Sequence, residues 1–199
     1  MEKLDVYSVA AMMFLPHTDD FFQYQRAFGV EPESEKHFLQ RANPAQKIAY
    51  VSRYILSPEG EIFLLEQNDL QSADTYFEEW GLSPEAQKKM LLEAHPDMVY
   101  CYVQHQVFTE SNEPLLFVSK LKRAAEAYVK AFPLFQASEL AMMAMNDADM
   151  VADYIDHDDL HEAAEILLLT EKFRHLVSAY HEKWGLGAKA QALYNVSIA

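Results

Sequence analysis

The chain has one cysteine, Cys101, five glycines, eight prolines and only 16 basic residues against 31 acidic ones in 199 positions. A lone cysteine can form no internal disulfide, which fits a reducing compartment. The deficit of bases leaves a net charge of −15. Such a field repels phosphate backbones and argues against ordinary nucleic-acid binding. No apolar run approaches the roughly 18 residues that a membrane-spanning helix needs. The apolar start carries Glu2 and Asp5 where a signal peptide needs a basic region. HExxH, paired-cysteine and glycine-rich phosphate motifs are all missing. These absences lead us to expect a cytoplasmic protein with no cofactor and no nucleic-acid or membrane partner.

What is present points to a packed helical chain. Half the residues are hydrophobic and 13% are aromatic, too many for a disordered tail. Few glycines and prolines suit helices joined by short turns. Tyr24, Tyr50, Tyr76, Tyr102, Tyr128, Tyr154 and Tyr180 recur every 26 residues without an insertion. A fixed period of that size marks tandem structural units. Six positions after each tyrosine the residue is apolar: Val30, Leu56, Leu82, Phe108, Leu134, Leu160 and Leu186. Eleven positions after it stands Glu or Gln: Glu35, Glu61, Gln87, Glu113, Glu139, Glu165 and Gln191. The residue before that one is small or polar, from Ser34 to Ala190.

Each copy reads as two helices. The tyrosine lies on the first, where Val151, Tyr154 and Ile155 illustrate the spacing of one helical face. Asn43-Pro44, Asp69 and Asp147 supply its N-caps. Gly29, Gly81 and Gly185 supply left-handed residues that close it. The second helix opens with Ser57-Pro58-Glu59 or Ser83-Pro84-Glu85, a serine cap followed by proline and an acid near the positive helix end. Its body, Ile62-Phe63-Leu64-Leu65 or Ile166-Leu167-Leu168-Leu169, is apolar nearly all round and has to pack between neighbours. A single hairpin cannot bury that surface, whereas stacked copies can. The sequence therefore predicts an all-α fold, an α-solenoid in the form of a right-handed superhelix of two-helix repeats. It would be one domain over 1–199, a half-repeat at 1–16 followed by seven repeats, with turns near 17, 30, 43, 56, 69, 82, 95, 134, 147, 160 and 186.

The segment Tyr76 to Ala86, YFEEWGLSPEA, resembles the short helical-hairpin repeats of uncharacterised bacterial proteins. In style these are similar to HEAT-like repeats and the leucine-rich repeat variant, though 26 residues is shorter than a HEAT unit. The resemblance covers essentially the whole chain. It implies an α-solenoid with an interaction role and carries over no catalytic residue.

Two stretches depart from the pattern. Thr109-Glu110-Ser111-Asn112-Glu113-Pro114 replaces the Leu-Ser-Pro-Glu start, with its proline four positions late. The junction at Phe173 also lacks a turn residue. Both predict local bending or fusion of helices, the first over 108–124.

Chemistry-bearing clusters are sparse. His157-Asp158-Asp159-Leu160-His161, flanked by Asp156 and Glu162, is the best metal constellation and would make a metal-dependent enzyme one reading of 156–162. Two histidines among acids at a turn are more simply solvated, so no metal site is assigned. Cys101 sits in a column of mostly small residues and has no His or Asn placed to activate it. The aromatic column Phe28, Tyr54, Trp80, Phe132 and Trp184 reads as packing between repeats before it reads as a peptide-binding stripe.

Charge is the remaining hint. Asp147, Asp149, Asp153, Asp156, Asp158, Asp159, Glu162 and Glu165 come without an intervening Lys or Arg, whereas Lys120–Lys130 holds four bases and one acid. Seven of the eight acids are read as solvent-facing, and the basic stretch as a separate face. The candidate binding residues are Asp149, Asp153, Asp156, Asp158, Asp159 and Glu162. The function they suggest is a non-enzymatic protein-interaction scaffold with a basic protein or peptide as partner. An acidic inhibitor or immunity-type protein that occludes a basic site is the alternative, and the irregular 108–124 stretch is the second candidate surface.

Overall fold

The computed structural model describes residues 2–15, 19–93 and 95–197. Among them are fourteen α-helices and no strand. No helix among the described residues is long and apolar enough to cross a membrane. The chain divides into two compact units, Met1–Val107 and Phe108–Ala199.

The first unit holds α1 (Val6–Met13), α2 (Asp19–Phe28), α3 (Pro32–Arg41), α4 (Pro44–Val51), α5 (Pro58–Glu66), α6 (Leu70–Glu79), α7 (Pro84–Glu93) and α8 (Pro96–Tyr102). Helices α1, α3, α5 and α7 pack in succession, and so do α4, α6 and α8. The helix starts follow local capping chemistry. Asn43 and Gln46 form a reciprocal capping box ahead of α4, with Pro44 in the first turn. The Ser57 hydroxyl accepts from the Gly60 N–H at the start of α5. Asn68 takes a positive φ of 52° at the turn into α6, a conformation asparagine tolerates better than most residues.

The second unit holds α9 (Lys122–Val129), α10 (Gln136–Ala144), α11 (Ala148–Ile155), α12 (Glu162–Leu168), α13 (Val177–Lys183) and α14 (Ala188–Ser197). Helix α9 packs on α11, and α10, α12 and α14 pack in succession.

The anticipated turns at 30, 43, 56, 69, 82, 95, 134, 147, 160 and 186 all fall between helices, while the one near 17 lies outside the described residues. Four local expectations need correction. Gly29 and Gly185 adopt positive φ, but Gly81 does not, so the helix before Gly81 ends without a left-handed residue. The 108–124 stretch is not a fused helix. It forms two 3-10 segments, Glu113–Leu116 and Ser119–Leu121, with α9 following directly. The 173 junction likewise becomes the 3-10 segment Arg174–Leu176 before α13. The apolar runs are also not buried all round: Leu64 and Leu168 are fully buried, but Leu167 is exposed.

Pro114 explains the course of the 108–124 stretch. An α-helix through 110–114 would drive its ring into the Glu110 carbonyl. The chain makes one turn, with the Glu113 N–H donating to the Thr109 carbonyl at 2.9 Å, and then tightens.

All seven ladder tyrosines are buried, at no more than 2% exposure. Buried tyrosine needs a partner for its hydroxyl, and the Glu/Gln column provides it. The Tyr76 hydroxyl donates to Glu61 Oε1 at 2.9 Å, Tyr128 to Glu113 at 2.8 Å, Tyr154 to Glu139 at 3.3 Å and Tyr180 to Glu165 at 3.0 Å. Each pair is 15 residues apart. The same hydroxyls accept from the amides of Leu56, Phe108, Leu134 and Leu160, in the apolar column. The second carboxylate oxygen accepts the backbone N–H found 22 residues on, at the start of the next helix: Ser57 on Glu35, Ser83 on Glu61, Phe135 on Glu113, His161 on Glu139 and Gly187 on Glu165.

Two rungs vary. Gln87 donates its amide to the Tyr102 hydroxyl at 3.1 Å, which in turn reaches the Val107 carbonyl at 3.3 Å. The Tyr50 hydroxyl is buried without a hydrogen-bond partner, its ring surrounded by those of Phe21, Phe38 and Tyr54.

Candidate functional site

The acidic stretch spans α11, the following turn and the start of α12. Asp147 caps α11, accepting from the Met150 N–H at 3.2 Å, and pairs with Lys122. That hydrogen-bonded lysine holds the Asp147 carboxyl below its ordinary value. Asp149 is exposed in the first turn of α11. Asp153 is half-buried and meets Lys130 at 3.0 Å. Asp156 is the exposed C-cap, and its carbonyl accepts from Lys183. Asp158 is half-buried and accepts from the amide of exposed Asp159 at 3.0 Å. Glu162 is half-buried and pairs with Lys189 at 2.8 Å, which lowers its pKa.

The six predicted residues therefore share one region but not one environment. Asp149, Asp156 and Asp159 face solvent, while Asp153 and Glu162 are engaged by lysines from adjoining elements. Glu165, the eighth acid, is buried and belongs to the tyrosine network. The basic stretch is not a separate face, because Lys122 and Lys130 are the partners of Asp147 and Asp153.

The two histidines do not converge. His157 sets its ring against Tyr154, 5.9 Å between centroids. The His161 Nδ1 lies 3.0 Å from Glu139 Oε1. Among the described residues no group of three or more His, Cys, Asp or Glu side chains is placed to hold a metal ion. Cys101 is half-buried on α8. Of the aromatic column, Trp80 donates its indole N–H to the Val51 carbonyl at 3.0 Å and Trp184 to the Ile155 carbonyl at 2.8 Å. That ties each to the preceding copy, as packing requires.

The turn from 156 to 161 is anchored from beneath. The Leu160 amide donates to the Tyr180 hydroxyl at 2.9 Å and the His161 amide to Glu139 Oε2 at 2.9 Å. Exposed acids thus sit on a backbone fixed by two buried acceptors.

Open depressions lie elsewhere, one in the irregular stretch and one between α5 and α7 among them. One of about 600 Å³ is lined by Thr109, Glu110, Ser111, Pro114 and Ala137, within the irregular stretch. The other, about 340 Å³ between α5 and α7, has Leu65 and Met90 at its base and Lys89 bridging Glu66 at 3.2 Å and Glu93 at 2.7 Å. The spacing had given no sign of the second. Nor had it revealed the role of the Glu/Gln column, although the constancy of an acceptor in step with a tyrosine was its signal.

No family model, curated protein or solved structure matches this chain.

Proposed function

We propose that the chain is an α-solenoid of two-helix repeats that acts as a non-enzymatic interaction scaffold for a basic protein or peptide. The observation that carries this reading is the use of the buried polar groups. Glu61, Glu113, Glu139 and Glu165 direct their oxygens to tyrosines and amides at offsets of 15 and 22 residues. Neighbour-to-neighbour bonding of this kind supports a linear array, and it engages the buried carboxylates that catalysis would otherwise require. The surface is left to carry recognition. Asp149, Asp156 and Asp159, with Asp153, Asp158 and Glu162 beside them, offer a negative region whose field reaches about 8 Å at physiological salt.

Affinity capture at low and high salt tests the proposal, using wild type, Asp156→Asn/Asp158→Asn/Asp159→Asn, and the charge-matched control Glu78→Gln/Glu79→Gln/Glu85→Gln. A basic partner retained by wild type and control, weakened by salt and lost from the first triple variant, is the expected result. An acidic partner, or equal loss from both triple variants, contradicts it.

A further inference from the structure

Five positions at the start of the second helix meet the carboxylate of the preceding copy: Ser57, Ser83, Phe135, His161 and Gly187. Four cannot change charge near neutral pH. His161 can. Where Ser57 and Ser83 add a hydroxyl bond to Glu35 and Glu61, His161 adds its imidazole to Glu139, 3.0 Å from Oε1. Glu139 has no exposed surface, and its remaining bonds are to the Tyr154 hydroxyl and the His161 amide. We infer that Glu139 and His161 form a proton-sensitive latch between α10 and the start of α12, which holds the 156–161 turn down below neutral pH and loosens it as pH rises.

The charges around the pair fit this sense. Asp158 and Asp159, in the turn itself, favour the imidazolium. Helix α10 packs against α11, α12 and the 3-10 segment at 113–116. From α11 Tyr154 faces Glu139 and Asp153 is held by Lys130. From α12 Glu162 is held by Lys189 and Glu165 by Tyr180. From the 3-10 segment Glu113 is held by Tyr128 and the Phe135 amide. None of these supplies Glu139 with a cation, so the imidazolium is the positive charge its geometry provides. Hydrogen bonding to Glu139 raises the His161 pKa, and burial raises that of Glu139. A folded-state pKa above the unfolded value means that the stabilisation is complete below the unfolded pKa and fades as pH passes the folded one. Both groups therefore act in the same direction.

The latch does not depend on the acidic-face reading. Its consequence for binding, through Asp156, Asp158 and Asp159, does depend on it. The test needs no partner. The His161 ring is titrated by NMR in wild type and in Glu139→Gln, a substitution the column already accommodates at Gln87. Thermal midpoints are then followed from pH 5 to 9 for wild type, His161→Ser and the control His157→Ser. The expected result is a His161 midpoint above about 6.5 that falls in Glu139→Gln. Above pH 7, where the Glu35 effect is complete, the remaining fall of the thermal midpoint with pH should flatten in His161→Ser and persist in His157→Ser. A His161 midpoint unmoved by Glu139→Gln, or a pH profile unchanged in His161→Ser, overturns the latch.

Discussion

Helix α5 and the 3-10 segment Glu113–Leu116 occupy corresponding parts of two copies, yet they share little backbone geometry. In α5, Pro58 stands at the first turn, where its missing N–H costs nothing, and a regular helix runs to Glu66. In the other copy Pro114 falls just after the ladder glutamate, and the α-helix is lost. The rung survives all the same. Glu61 takes Tyr76 at 2.9 Å and the Ser83 amide at 2.9 Å, while Glu113 takes Tyr128 at 2.8 Å and the Phe135 amide at 2.9 Å. Leu64 and Leu116, three residues further on, are both fully buried. What the copies hold in common is thus a buried acceptor, a tyrosine and an apolar plug, and the second helix is one of two backbone solutions that deliver them.

The largest effect should come from the plug. Leu64→Ala and Leu116→Ala should each cost about 2–5 kcal/mol, the usual range for emptying a packed leucine site. Denaturant unfolding checks this, and a markedly smaller loss at Leu116 would break the equivalence.

Next in size is a pH effect at the rung whose tyrosine hydroxyl has no partner. Burial pushes the Glu35 carboxyl up to about 7, although the Ser57 hydroxyl and amide pull it down. Between its unfolded pKa and 7 the folded state keeps a proton that the unfolded chain has released, so stability falls as pH rises across that window. The full effect is roughly 3 kcal/mol. Glu35→Gln should remove most of that slope in unfolding measured from pH 4 to 8.

Legibility in the sequence follows the range of each interaction. Caps and turns depend on residues a few positions apart, so Asn43-Pro44, Ser57-Pro58 and Asp147 announced the helix starts. The tyrosine and Glu/Gln columns were visible as positions, but their bond spans 15 residues, and a glutamate in an acidic chain looks like a solvated one. Glu165 shows the difficulty: it reads as part of an acidic run and proves to be a buried acceptor. The ion pairs Lys122–Asp147, Lys130–Asp153 and Lys189–Glu162 were hidden for the same reason. Pro114 was recognised as misplaced and bending or fusion of helices was expected over 108–124, where proline sterics favour tight 3-10 turns.

The smallest effect belongs to the exposed face of α6. Glu78→Ala should shift stability by less than about 0.5 kcal/mol, and a loss comparable with Leu64→Ala would reverse the inside–outside assignment.

The central claim is that the tyrosine–carboxylate rung operates alike on both backbones, and paired double-mutant cycles address it most directly. Tyr76→Phe is combined with Glu61→Ala, and Tyr128→Phe with Glu113→Ala, with unfolding free energies measured for every single and double variant. A coupling of about 1 kcal/mol or more is predicted in both cycles, as expected for a buried hydrogen bond. Coupling at Tyr76–Glu61 with none at Tyr128–Glu113 would contradict it.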